Sequence, residues 1–140
     1  MNYKNLVYVA LRISMGFVFL WAFFDKAFGL GFATTAENAW INGGSPTNGF
    51  LSFAAKGPFA ELFHSLAGVA VVDWLFMLGL LGVGVALIFN RYIKWAALAG
   101  SAMLLLMYLA VLPPENNPII DDHIVYILVL AALAIRSRER

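Results

Sequence analysis

A chain of 140 residues that is 62% apolar and only 12% charged, with a net charge of +1, lies far from the soluble average of about half apolar and a quarter charged. It reads as an integral membrane protein, and residues 1–140 leave room for one domain with no separate soluble module. The absence of cysteine excludes disulfides, thiol redox chemistry, iron–sulfur ligation and Cys-type zinc sites.

The first apolar run predicts a span over about 5–24, interrupted by little more than Arg12 and Ser14. It exceeds the usual 7 to 15 apolar residues of a signal peptide, and no convincing small-x-small cleavage site precedes Asp25-Lys26, so it is expected to stay. Residues 27–70 form a long first connection rich in Gly, Thr, Asn and aromatic residues, with Trp40 and the turn-forming run from Asn42 to Gly49. Within it, 49–56 and 58–67 read as short helices, too short to span. Their anchors Phe50, Leu51, Phe53, Phe59, Leu62 and Phe63 predict that they lie in the membrane interface or cap the bundle.

Further spans are predicted over about 70–89 and 93–112, and the short Asn90-Arg91-Tyr92 link makes them antiparallel neighbours. Gly79, Gly82 and Gly84 lack the spacing of a nucleotide loop and are read as close-packing positions, as are Ala96, Gly100, Ala97 and Ser101 on the next helix. Only about a dozen apolar residues separate His123 from Arg136, so a span of about 20 residues must be counted back to 116–135. That count sets Asp121, Asp122 and His123 one to two turns below the outer surface, where ionisable groups imply a site. The alternative is a short helix in a thinned bilayer, with these residues in the headgroup layer.

The expected fold is therefore all-α: a four-helix transmembrane bundle with a long outer first connection containing short interfacial helices. Lys4, Arg12, Arg91, Lys94, Arg136, Arg138 and Arg140 fall on one side and only Lys26 and Lys56 on the other, which predicts a multi-pass cell-membrane protein with both termini cytoplasmic. The outer side is acidic, which argues against nucleic acid as a partner there.

Counting from the inner ends places Asp73, Tyr108, Asp122 and His123 in one outer layer. Lys26 is expected to pair across helices with Asp73 or Asp122, because lone charges at that depth are costly. Asp73 or Tyr108 is the expected partner of His123, since Asp122 lies on another face. Arg12, Gly16, Phe19, Phe23 and Lys26 form one stripe of the first helix. Arg12 either snorkels to the inner surface or turns inward to bind a ligand oxygen or lipid phosphate. Trp21, Trp40 and Trp74 read as an aromatic belt or as surfaces for stacking on a flat ring. A haem between His64 and His123 is disfavoured because His64 lies off the spans, and Asp121, Asp122 and His123 are too close in sequence to converge on a metal. No haem, flavin or metal is expected.

Leu11-Arg12, Gly16, Leu20-Trp21, Asp25-Lys26, Trp40, the run from Gly44 to Leu51, Gly57-Pro58, Asp73-Trp74-Leu75, Gly79 and Asp122-His123 together resemble the DoxX family, and especially its DoxD branch. The resemblance spans nearly the whole chain. It implies a four-helix membrane protein, and the DoxD branch implies the quinone-reducing subunit of a thiosulfate:quinone oxidoreductase, which joins two thiosulfates into tetrathionate. Its implied partners are the lipid bilayer, membrane quinone and a DoxA-like second subunit or further copies of the chain. In that reading the quinone ring sits near Trp21, Trp40, Trp74 and Tyr108. Lys26 or Arg12 orients a carbonyl or attracts an anionic donor, and His123, Asp122 or Asp73 carries protons. A competing reading is a non-catalytic tetraspan scaffold or small-molecule carrier, whose buried acids and bases only pair with one another.

Overall fold

The computed structural model describes residues 2–139, which are helical and contain no strand. Five α-helices run in order: α1 (Tyr3–Phe28), α2 (Ala60–Leu66), α3 (Ala70–Ile88), α4 (Ile93–Ala110) and α5 (Asp122–Arg138). Of these, α1, α3 and α4 are long and apolar enough to cross a membrane. Two of them match the predicted spans closely, because an apolar run and a short polar link fix their ends. α1 extends beyond its predicted span at both ends. Asn2 caps it by accepting the Lys4 N–H at 3.1 Å, and it stops only at Gly29.

The last helix differs from the expected span. It begins at Asp122 rather than near Asn116 and has 17 residues, about 25 Å at 1.5 Å per residue. Local capping chemistry decides this. The Asn117 side-chain oxygen accepts the Ile119 and Ile120 N–H groups at 2.9 and 2.6 Å, folding the segment after Asn116 into a turn. Asp121, in extended conformation, then accepts the His123 and Ile124 N–H groups at 3.0 and 3.3 Å and starts the helix. Asp121, Asp122 and His123 consequently stand at the mouth of α5, not one to two turns inside a longer helix.

α3 packs between α1 and α4, and α5 lies along α4 and also touches α1. Small residues set the approach. A methyl group added at Gly84 would lie 2.5 Å from Leu20 of α1, and one at Gly79 would lie 2.5 Å from Met103 of α4. Gly100 of α4 faces Leu130 of α5, Phe19 of α1 and Val83 of α3 at once, at 2.9, 3.3 and 3.3 Å. Gly82 faces open space, so the packing role expected of it is absent. The buried face of α1 includes Tyr8, Arg12, Met15, Gly16 and Phe19, and α5 contributes Leu130 and Leu133.

The first connection folds as 3-10 turns at Ala36–Asn38 and Trp40–Asn42, a π-helical turn at Phe50–Ala54, and a 3-10 turn at Gly57–Phe59 that leads into α2. Both pieces expected to be helical are so. Leu51, Ala55 and Phe63 bury against Ala110 at the end of α4, while Phe53 and Leu62 point outward. The Lys56 N–H donates to the Ala110 carbonyl at 2.8 Å, and the chain then passes so close to Leu112 that a Cβ on Gly57 would lie 2.1 Å from its oxygen.

Candidate functional site

The first connection is held to the helices by two buried carboxylates. Asp25, in the last turn of α1, accepts the backbone N–H groups of Phe32, Ala33 and Thr34 at 3.2, 2.7 and 3.1 Å, using both oxygens. Asp73, in the first turn of α3, accepts from the Ser45 hydroxyl at 2.8 Å, the Thr47 hydroxyl at 2.6 Å and the Thr47 N–H at 3.3 Å, all on Oδ1. Charged acceptors make strong hydrogen bonds, and in these positions they take up loop donors that burial would otherwise leave unpaired.

These clasps change the expected pairings. Asp73 serves the loop and meets neither Lys26 nor His123. Asp122 is exposed. Lys26 is half-buried and makes no ion pair among the described residues, so the expected bridge to Asp73 or Asp122 is absent. The reason lies with the two acids: Asp73 is taken up by Ser45 and Thr47, and Asp122 is exposed.

Arg12 turns inward. Its guanidinium donates to the Leu87 carbonyl and, at 2.8 Å, to the Ile88 carbonyl. These are among the last carbonyls of α3, which have no partner within their own helix, and a cation is favoured at that end of the helix dipole. Its Nε is buried without a partner. Arg12 and Lys26 are 14 residues apart on one helix, about 21 Å along the axis, so they cannot both orient one ring.

The tryptophans divide into two groups. Trp40 and Trp74 pack edge to face with ring centres 4.7 Å apart, while Trp21 lies against Phe17 and Phe32 at 5.8 and 5.0 Å. Part of each indole surface is thus used within the chain, and the exposed remainder of Trp74 faces outward.

The remaining candidates gather where α4 ends and α5 begins. Tyr108 donates its hydroxyl to the Ile119 carbonyl at 2.6 Å, tying α4 to the segment before α5. The His123 Nδ1 lies 2.8 Å from the Asp121 carboxylate, both side chains being one-fifth exposed, and Nε2 has no partner among the described residues. Burial works against the charge on Asp121, but the bonds from the His123 ring and the Ile124 N–H outweigh it and hold the carboxyl below the usual carboxylate range. A carboxylate on one imidazole nitrogen fixes the ring and leaves the other nitrogen to exchange protons. Asp121 is therefore the partner that sequence reasoning missed. Its signal was the position before a helix start, from which a side chain can fold over the first turn.

No group of three or more His, Asp or Glu side chains that could hold a metal occurs among the described residues. Two open cavities of about 540 and 480 Å³ lie at the opposite, basic end, and none of the nine predicted site residues lines either.

Three apolar helices of spanning length joined by a clasped polar connection define a helical membrane protein. Comparison of the chain with protein-family models, curated proteins and solved structures finds no match.

Proposed function

We propose that this chain is a quinone-linked membrane subunit that crosses the bilayer four times, has both termini in the cytoplasm, and exchanges protons at its outer end through His123. The observation that supports this is the Asp121–His123 pair, in which a carboxylate orients the imidazole and leaves Nε2 free. Two-electron reduction of a quinone consumes two protons, and a histidine is suited to deliver them near neutral pH. α5 falls about 5 Å short of a typical hydrocarbon core, a mismatch that modest thinning accommodates, so the pair would sit at the membrane edge beside water. Lys26, half-buried beside Asp25 and in no ion pair among the described residues, would attract a small anionic reductant of the thiosulfate type. A DoxA-like subunit or further copies of the chain would complete the assembly.

A non-catalytic scaffold or carrier is the second reading, favoured by Asp25, Asp73 and Arg12 being tied to the chain's own backbone and hydroxyl groups. Turnover in liposomes containing quinone, with thiosulfate as donor, separates the two. His123→Gln preserves size and hydrogen bonding, and under the first reading it lowers the rate. A correctly folded variant with the wild-type rate makes His123 structural.

A further inference from the structure

We infer that the basic end of the protein holds one anionic phospholipid, its phosphate headgroup in the larger cavity and an acyl chain in the smaller. The larger cavity, about 540 Å³, is lined by Tyr8, Asn90, Tyr92, Lys94, Trp95 and Ser137. These residues come from α1, from the α3–α4 link with the start of α4, and from the end of α5. They offer an ammonium group, the Tyr92 hydroxyl, an amide and an indole, and no carboxylate, while the Ser137 hydroxyl already donates to the Ala134 carbonyl at 2.7 Å. The second cavity, about 480 Å³, runs between α1 and α5 and is mainly apolar, with Val7, Leu11 and Leu133 in its walls. Lys4 and Arg136 line it as well, and Tyr8 lines both cavities.

The pair thus reproduces the division within a phospholipid, a compartment of mixed polarity joined through Tyr8 to a mainly apolar one. Charge selects the kind of lipid. Lys4, Lys94 and Arg136 line the two cavities while no acidic residue does. Among the described residues, the carboxylate that meets these cations is Glu139, which is exposed and bonds Arg136 at 3.3 Å, while the other terminal nitrogen of Arg136 bonds Asn5 at 3.1 Å. Basic pockets between helices recognise anionic headgroups, and each Lys or Arg near such a surface contributes about 1 kcal/mol, or about fivefold in affinity. This inference does not depend on the quinone reading, since it concerns the opposite end of the molecule.

The test uses the full chain purified in detergent, with bound lipid read by native mass spectrometry and by the shift in melting temperature. Phosphatidylglycerol, phosphatidylcholine and inorganic phosphate are the probes. The wild type should retain and be stabilised by phosphatidylglycerol but not by the other two. Lys94→Gln combined with Arg136→Gln should weaken that binding on the order of 25-fold. Val7→Trp, at an exposed position in the apolar cavity, should weaken it with every charge kept. Equal stabilisation by phosphatidylcholine, or binding unchanged in both variants, would overturn the inference. Inorganic phosphate acting as well as the lipid would also overturn it, by assigning the pocket to a free anion.

Discussion

Replacing Asp25 by Asn keeps the shape of the side chain and turns one of its two accepting oxygens into an NH2 group. Asp25 uses both oxygens, one for Phe32 and the other for Ala33 and Thr34. Either orientation of the amide therefore leaves at least one loop N–H facing a donor. An orphaned donor at this partly buried site costs about 1–2 kcal/mol, and the surviving bonds lose their charge assistance, so the expected loss is about 2–3 kcal/mol. Asp73 provides the internal comparison. Its three bonds all fall on Oδ1, which Asn retains, so Asp73→Asn should lose only charge assistance, about 1 kcal/mol. Unfolding of each variant in mixed micelles by titrated SDS gives the two losses, and protease cleavage within residues 29–34 reports local release of the loop. Asp73→Asn destabilising as much as Asp25→Asn, or Asp25→Asn leaving the loop protected, would refute the assignment of these carboxylates as unequal clasps.

Gly84→Ala should destabilise by about 1–3 kcal/mol, because its methyl meets Leu20 including the backbone nitrogen at 3.0 Å, whereas Gly82→Ala should stay within about 0.5 kcal/mol; the same micelle titration compares them. Arg12→Met should cost about 1–3 kcal/mol by removing the side-chain donor shared by the Leu87 and Ile88 carbonyls, of which Leu87 keeps the Asn90 N–H at 3.4 Å, yet leave any retained quinone unchanged, which extraction of the variant checks. Asp121 ionises more readily folded than unfolded, so its stabilisation is complete above the ordinary carboxylate range and is lost as pH falls through the folded value, below about pH 4. Amide exchange at His123 and Ile124 should accordingly quicken in acid relative to the same amides in Asp121→Asn, and identical acid profiles would count against the cap.

The spanning helices were legible because apolar runs and a three-residue polar link are one-dimensional signals. α3 and α4 start where the sequence places them. The start of α5 is set instead by the turn at Asn117 and the cap at Asp121, short-range signals that a membrane-thickness count does not contain. The His123 partner has the same origin: the rule that adjacent helical residues diverge does not apply to a residue just outside the helix. Arg12 was expected either to snorkel or to bind a ligand, and its contact with the end of α3 depends on a neighbour 75 residues away that no local pattern reveals. Gly82 and Gly84 look alike in sequence, and only the neighbouring helix distinguishes them.

The claim on which the functional reading depends is that a quinone occupies this protein. Solvent extraction of the purified full chain followed by chromatography measures it directly. A quinone in stoichiometric amount is expected, retained through purification at the same level in His123→Gln as in the wild type, since that residue moves protons and does not hold the ring. Extracts matching a detergent blank, from protein that is folded and lipid-containing, would contradict it and leave the non-catalytic reading.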